Sequence, residues 1–258
     1  MSPIPSNAAR EPGSNLTGFG AFRQWYHCHP VAFFLAALVV AVALAPFDEY
    51  FREGDLAEAV RLTLVLLFGL PALRRQPKSM VFGLLLALPA LIGKWANHYR
   101  PDLVPPAVFL VPGLLFVVFL LLHILQFILW ARRVDSEVLC AGVAGYLLLA
   151  LLWTFAYILV ARLIPDAFVF STGPASSQRM HGFTAMYFSF ITLCTVGYGD
   201  IVPLAGVARM LAAMEGVVGT FYVAILISRL VAVYSSAAAA PESGTPANSS
   251  PPDRPYQK

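Results

Sequence analysis

Apolar runs of membrane-spanning length dominate this sequence and constrain its fold more than any other feature. A bilayer core about 30 Å thick is crossed by a helix of about 20 mostly apolar residues. Six runs reach or approach that length, at residues 30–47, 59–73, 80–95, 107–130, 138–163 and 207–234. Charged residues make up 12% of the chain, against about a quarter in an ordinary soluble domain. The sequence therefore predicts an all-α membrane protein with six transmembrane helices, of which the short second one, containing Arg61, is the least regular.

Lysine and arginine collect in the cytoplasmic loops of membrane proteins, so their distribution predicts a topology. With both termini in the cytoplasm, ten of the 17 Lys and Arg residues fall inside and seven outside. We therefore expect a multi-pass protein of the cell membrane, plasma or inner, with both termini cytoplasmic. The formal net charge is +3, but these residues lie singly or in pairs rather than in a basic stripe, which argues against a nucleic-acid partner.

Composition divides the chain into four expected parts. Residues 1–28 and 236–258 contain few bulky apolar residues, and we interpret them as an N-terminal cytoplasmic tail and a disordered C-terminal one. Residues 29–134 hold the first four apolar runs. Residues 135–235 hold the last two runs and, between them, a shorter apolar segment at 183–194 that leads into the stretch CTVGYGDIVP. That short segment predicts a re-entrant helix, because it is too short to span.

The stretch after the short segment raises a problem of backbone hydrogen bonding. Non-helical backbone at membrane depth is tolerated only where it is buried in protein or lines water. Gly197 and Gly199 accept positive φ at little steric cost, so glycines alternating with other residues can turn successive carbonyls toward one axis. Four copies around an axis would stack rings of oxygen that replace the water shell of a monovalent cation. The alternative is a tight glycine turn between two helices.

The sequence TVGYGD at residues 195–200 resembles the selectivity filter of tetrameric potassium channels. The whole pattern resembles small prokaryotic six-transmembrane potassium channels that lack voltage-sensor arginines. The resemblance implies a homotetramer whose filter is formed by Thr195, Val196, Gly197, Tyr198 and Gly199. It places K⁺ at the first four of these residues, with the Thr195 hydroxyl also contributing, and implies no cofactor besides the permeant ion. Residues 29–134 then correspond to a sensor-like region and residues 135–235 to a pore domain.

Three residues are expected to support the filter, namely Asp200, Tyr187 and Thr192. Asp200 is either a solvated turn acid or, as the resemblance implies, a brace that bonds an aromatic residue of the pore helix and attracts cations. Tyr187 is the aromatic partner expected from its spacing. Some relatives carry an acid that also pairs with this Asp, but here that position is Ile191.

The final apolar run carries the expected gating residues. Gly219 lies 20 residues beyond Gly199, the spacing at which relatives carry a hinge glycine. The alternative role for Gly219 is close helix packing. Gly216 is a second candidate for either role. Glu215 is an intramembrane acid, and such acids are usually partnered or functional. It either braces the pore helix, through Ser189, Thr192 or Cys194, or faces the pore cavity. Arg229 is interpreted as an anchor at the membrane surface.

The residue types present in the apolar runs limit the functions that the chain can have. The fourth run contains no arginine, whereas a voltage sensor needs several intramembrane charges. Paired carboxylates, zinc-ligand spacing and Ser/His pairs are absent from the apolar runs, so the chain is not expected to be an enzyme. The sequence thus predicts passive, potassium-selective conduction that is not classically voltage-gated, with lipid and K⁺ as partners. The alternatives are a non-conducting scaffold or sensor subunit and a weakly selective cation channel.

Overall fold

The computed structural model describes residues 30–49, 54–72, 77–100, 105, 107–131, 135–171 and 179–238. The expected tail at 1–28 lies outside these residues, as does 239–258 of the expected tail at 236–258. The described chain is mostly helical. Its helices are α1 (Pro30–Leu44, extended by a 3₁₀ turn at Ala45–Glu49), α2 (Gly54–Ala72), α3 (Pro77–Tyr99), α4 (Ala107–Trp130), α5 (Ser136–Leu163), α6 (Gly182–Leu193) and α7 (Gly206–Ala238).

Five of these helices are long and apolar enough to cross a membrane. They are α1 with its 3₁₀ extension, α3, α4, α5 and α7. The second predicted run forms α2, whose apolar part, Ala59–Pro71, is shorter than a span. Helix α6 is likewise a short apolar helix, at Gly182–Leu193. Local chemistry sets some of the ends: Asp135 caps α5 by accepting a hydrogen bond from the Val138 backbone N–H at 2.9 Å.

A small sheet departs from the predicted all-α architecture. Strand β1 (Phe168–Phe170) precedes α6 and strand β2 (Ile201–Pro203) follows the glycine-rich loop. The two strands pair antiparallel, with Phe168 opposite Pro203 and Phe170 opposite Ile201. Each strand has only three residues, so neither gives a recognisable alternating pattern. The pair fixes the two ends of the segment that contains α6 and the loop.

Helix α5 joins the first four helices to the rest of the molecule. It packs against α1 and α4 on one side and against α6 and α7 on the other. The main core is formed by fully buried side chains of α1, α4 and α5, among them Phe34, Leu38, Phe116, Leu120 and Leu148. A second core surrounds the start of α6, where the rings of Tyr157, Phe168 and Phe188 meet edge to face. Helix α6 is therefore held by α5 and by β1.

Candidate functional site: the glycine-rich loop and its supports

The backbone of the loop after α6 alternates in handedness. Thr195, Gly197 and Gly199 have φ angles of 59°, 53° and 79°. Among the described residues, positive φ outside glycine occurs only at Asp166 and Thr195, so Val196 and Tyr198 between them have negative φ. Positive φ is routine for glycine and uncommon for a β-branched residue such as threonine. An alternation of this kind turns successive peptide carbonyls toward the same side of the strand.

The N–H groups at the inner end of the loop return to the end of α6. The Thr195 N–H donates to the Thr192 carbonyl at 3.0 Å. The Val196 and Gly197 N–H groups both donate to the Ile191 carbonyl, at 2.8 and 3.2 Å. The carbonyls of residues 195–198, in contrast, accept no hydrogen bond from any residue that the structure describes. The loop thus uses the N–H groups of residues 195–197 within the chain and leaves four successive carbonyl acceptors available.

The outer end of the loop is attached at two points. The Tyr187 hydroxyl of α6 donates to Asp200 Oδ2 at 2.9 Å. Burial and, second, this hydrogen bond raise the pKa of Tyr187 to about 12, so the phenol keeps its proton at neutral pH and remains the donor. Ser171, directly after β1, donates from its backbone N–H to the Asp200 carbonyl at 2.8 Å. Asp200 Oδ1 is buried and has no partner among the described residues.

Two large side chains of the loop are exposed in the single chain. Val196 is 52% exposed and Tyr198 is 72% exposed, although both are large and apolar or aromatic. Below them, an open groove of about 550 Å³ runs between the loop and α7. Its lining includes the supporting residue Thr192, the loop residues Thr195 and Gly197, and Gly216 of α7. The single chain therefore leaves the loop and the adjoining face of α7 largely uncovered.

Glu215 of α7 is fully buried behind α6 and has partners on two other helices. Tyr157 of α5 donates to Glu215 Oε2 at 2.5 Å, and the Ser189 hydroxyl of α6 lies 2.5 Å from Glu215 Oε1. The same hydroxyl lies 2.9 Å from the Ala150 carbonyl of α5. Of the three partners left open by the sequence, the structure brings Glu215 to Ser189 and not to Thr192 or Cys194. We call this set of groups the Glu215 network.

The two glycines of α7 have different surroundings. A Cβ added at Gly219 would lie 2.6 Å from Leu193 Cδ1 and 2.9 Å from the Leu193 carbonyl oxygen. At Gly216 the nearest such atom is the Thr192 carbonyl oxygen, at 4.0 Å. At Gly219 the backbone of α7 thus lies too close to Leu193 of α6 for a Cβ, which is reason enough for a glycine. The hinge role of either residue stays a prediction.

Arg229 contacts the end of α4 directly. Its Nη2 donates to the Leu129 and Ala131 carbonyls at 2.9 and 2.8 Å. These carbonyls lie at the C-terminal end of α4, where a cation is favoured by the helix dipole. Earlier on α7, the Tyr222 hydroxyl donates to the Gly142 carbonyl of α5 at 2.8 Å. The end of α7 is therefore tied to α4 as well as to α5.

Several of these contacts were missing from the sequence-based expectations. Tyr157 is one aromatic residue among many in an apolar run, and Ser171 lies 29 residues before Asp200. The best available signal was for Tyr157: an intramembrane acid requires hydrogen-bond donors, and few side chains of the neighbouring runs can donate. No signal pointed from Arg229 to the end of α4.

Comparison with known protein families gives a match to the C-terminal half of the chain. A family model described as "Ion channel" matches residues 138–236, which include most of α5, all of α6 and the loop, and most of α7. No solved structure gives a significant match to the chain.

Three curated proteins show the extent of similarity to whole chains. A protein named Two pore potassium channel c, from Oryza sativa subsp. japonica, is 37% identical over 68 residues, covering 26% of this chain and 14% of the rice protein. Two-pore potassium channel 3 from Arabidopsis thaliana is 41% identical over 46 residues, 18% of this chain and 11% of its own length. Protein LctB from Bacillus caldotenax is 32% identical over 110 residues, covering 40% of this chain and 81% of LctB.

The similarity to LctB extends over most of the length of LctB, whereas this chain spans only about a seventh of the length of the rice channel. Together with the five apolar helices, the family match identifies a multi-pass membrane protein of a channel family rather than an enzyme family. The chain belongs to the pore-loop potassium channel family.

Proposed function

We propose that the chain is a potassium-selective channel that conducts K⁺ passively through a filter formed by residues 195–199 of four identical subunits. The observation that carries this proposal is the loop geometry: φ alternates in sign, and four successive carbonyls accept no hydrogen bond from the described residues. Rings of backbone carbonyls are how potassium channels replace the hydration shell of the ion. The loop also begins at the C-terminal end of α6, where the negative end of the helix dipole favours a cation.

A homotetramer is supported by what one chain leaves uncovered. Each chain supplies one filter strand, and a ring of carbonyls requires several. The side chains of Val196 and Tyr198 are exposed, and only 11% of an apolar 18-residue portion of α7 is buried within its own chain. Neighbouring copies would cover these surfaces and close the open groove beside the loop. The permeant K⁺ ions and the surrounding lipid are the other proposed partners, with no cofactor.

The proposed membrane arrangement has six spans, with α2 as the short second span. Helix α6 and the filter would then form a re-entrant segment between the fifth and sixth spans, α5 and α7. The protein would lie in the plasma or inner membrane, with both termini in the cytoplasm. Residues 29–134 would form a sensor-like region and residues 135–235 the pore domain. Since α4 carries no arginine ladder, we do not expect this region to sense voltage in the usual way.

The function is tested with purified protein in liposomes. We expect a potassium flux that barium blocks and that sodium does not replace. Equal sodium and potassium fluxes would show a weakly selective cation channel instead. Flux only in the presence of a second subunit would show a scaffold or sensor subunit.

The role of the loop backbone is tested with two matched glycines. A Cβ added at either Gly197 or Gly206 would meet open space, but only Gly197 has positive φ. Gly197→Ala should therefore lower potassium flux or selectivity through backbone strain of about 1 kcal/mol or more, while Gly206→Ala should leave both unchanged. Wild-type selectivity in a Gly197→Ala tetramer would contradict the proposed filter mechanism.

A further inference from the structure

The Glu215 network joins three helices at one buried point behind the filter. Tyr157 comes from α5, Ser189 from α6 and Glu215 from α7, and both Ser189 and Glu215 are 0% exposed. No other pair of described side chains links α6 and α7 by a hydrogen bond. The network is therefore placed to determine how α6 sits between its two neighbours.

The number of protons in the network depends on the state of Glu215. Three oxygen–oxygen contacts need a proton each: Tyr157 with Glu215, Glu215 with Ser189, and Ser189 with the Ala150 carbonyl. A hydroxyl supplies one proton, and a carboxylate supplies none. With an ionised Glu215 there are two protons for three contacts, so one pair of oxygens would face each other without a hydrogen.

A neutral Glu215 satisfies all three contacts. The acid then donates to Ser189, Ser189 donates to the Ala150 carbonyl, and Tyr157 donates to the other carboxyl oxygen. The surroundings agree, because Glu215 has no ion-pair partner among the described residues. An isolated buried carboxylate is costly and tends to be neutralised.

The network lies close to the attachment of the filter. Ser189 precedes Ile191 by two residues in α6, and the Ile191 carbonyl accepts the N–H groups of both Val196 and Gly197. A shift of α6 at Ser189 would therefore move the carbonyl that fixes the inner half of the filter. On the other side of the same helix end, Leu193 packs against Gly219.

We infer that Glu215 is a positioning residue of the filter and acts as a neutral carboxylic acid, donating a hydrogen bond to Ser189 of the pore helix while it accepts one from Tyr157. This inference rests on the proposed function for its effect on conduction. Its chemical part, the protonated acid, can be measured without any ion flux.

The protonation state is tested by infrared difference spectroscopy of wild-type protein minus Glu215→Gln at neutral pH. The expected difference contains the carbonyl stretch of a protonated carboxylic acid. A difference containing the two carboxylate bands would overturn the inference. This result stands whether or not the protein conducts, so it separates failure of the inference from failure of the proposed function.

The positioning role is tested by potassium flux in four variants. Glu215→Gln keeps one donor and one acceptor and should retain flux within about twofold of wild type, whereas Glu215→Leu has neither and should lose it. Tyr157→Phe removes one hydrogen bond and should lower flux about fivefold. Ser189→Ala removes two, with Glu215 and with the Ala150 carbonyl, and should lower flux at least as much. These two milder variants keep the test valid if Glu215→Leu does not assemble.

Ser228→Ala is the matched control. It removes a hydroxyl of α7 that bonds only the Ala224 carbonyl of its own helix, and it should leave flux unchanged. If Glu215→Gln lost as much flux as Glu215→Leu, a charge would be required and the inference would be wrong. Wild-type flux in both Ser189→Ala and Tyr157→Phe would equally refute the positioning role.

Discussion

Helices α5 and α7 have similar apolar stretches of 28 residues each, but their surroundings differ. Within the single chain, 56% of an apolar 18-residue portion of α5 is buried, against 11% of the corresponding portion of α7. Helix α5 is covered by helices of its own chain. Helix α7 touches its chain at a few points, including Gly219, the Glu215 network, Tyr222 and Arg229, and leaves most of its apolar surface uncovered. The difference separates residues that stabilise one chain from residues available for assembly.

The comparison is tested most strongly by truncating one side chain on each helix. Leu148 of α5 is 0% exposed, so Leu148→Ala should lower the free energy of unfolding of the chain by about 2–5 kcal/mol. Phe221 of α7 is 62% exposed, so Phe221→Ala should leave that free energy nearly unchanged and weaken the proposed tetramer. Detergent titrations followed by circular dichroism and by native mass measure the two quantities separately.

The control for that experiment is Val39→Ala in α1, where an apolar side chain is 50% exposed but no assembly role is proposed. Val39→Ala should change neither the free energy of unfolding nor the strength of assembly appreciably. A Phe221→Ala protein that assembles as strongly as wild type would show that this face of α7 is not a subunit contact.

The contact between Gly219 of α7 and Leu193 of α6 is tested by substituting Gly219 and, as a comparison, Gly216. Gly219→Ala would force a methyl group against Leu193 and should destabilise the packing by about 1–3 kcal/mol. Gly216→Ala should cost little, because an added Cβ there would lie 4.0 Å from the nearest atom. Thermal unfolding in detergent measures both. Equal effects would show that packing against Leu193 does not explain Gly219, and a hinge role would then be favoured.

A smaller effect is expected at the outer support of the filter. Tyr187→Phe removes the hydroxyl that donates to Asp200. The lost hydrogen bond is worth about 1 kcal/mol, so conduction should be lost about fivefold faster than in wild type. Tyr99→Phe, at an exposed phenol of α3, is the control. Loss of conduction under sustained flux is the measurement, and identical rates for Tyr187→Phe and wild type would contradict the bracing role.

The pKa of Tyr187 also gives this contact a pH dependence. The pKa is raised from 10.0 to about 12 in the folded protein. A group with a raised pKa contributes its full stabilisation below its ordinary pKa and loses it as pH rises through the folded value. The contribution of the protonated phenol, which reflects burial first and this hydrogen bond second, should therefore be constant up to about pH 10 and disappear near pH 12.

The smallest expected effect lies at the inner end of α7. Arg229→Gln removes the cation from the C-terminal carbonyls of α4 and should cost about 0.3–1 kcal/mol, because the site is partly exposed. Hydrogen exchange of the last turn of α4 should become faster. Arg209→Gln, which alters a contact with Pro203 instead, should not change exchange in α4. Unchanged exchange in the Arg229 variant would mean that the contact does not hold the two helices together.

The helices could be predicted from the sequence because each is a long apolar run and because bilayer thickness fixes its length. The predicted apolar runs are helical wherever the structure describes them. Their described residues lie in α-helices or in the 3₁₀ turn that extends α1. The meeting of Tyr187 and Asp200 follows from short-range spacing across one loop. Contacts between distant helices were not predictable in this way: Tyr157 lies 58 residues from Glu215, and Arg229 lies 100 from Leu129. The strands β1 and β2 escaped prediction because their pairing depends on the whole segment between them.

Under the proposed function, Thr195 links ion occupancy to the stability of the tetramer. A β-branched residue with φ of 59° is held in a conformation that costs about 1–3 kcal/mol, and under the proposed function the cations bound by the adjoining carbonyls offset that cost. Potassium then behaves as a ligand of the folded tetramer, and mass action makes heat resistance rise with the logarithm of its concentration. The ion that the protein transports would also act as one of its structural components.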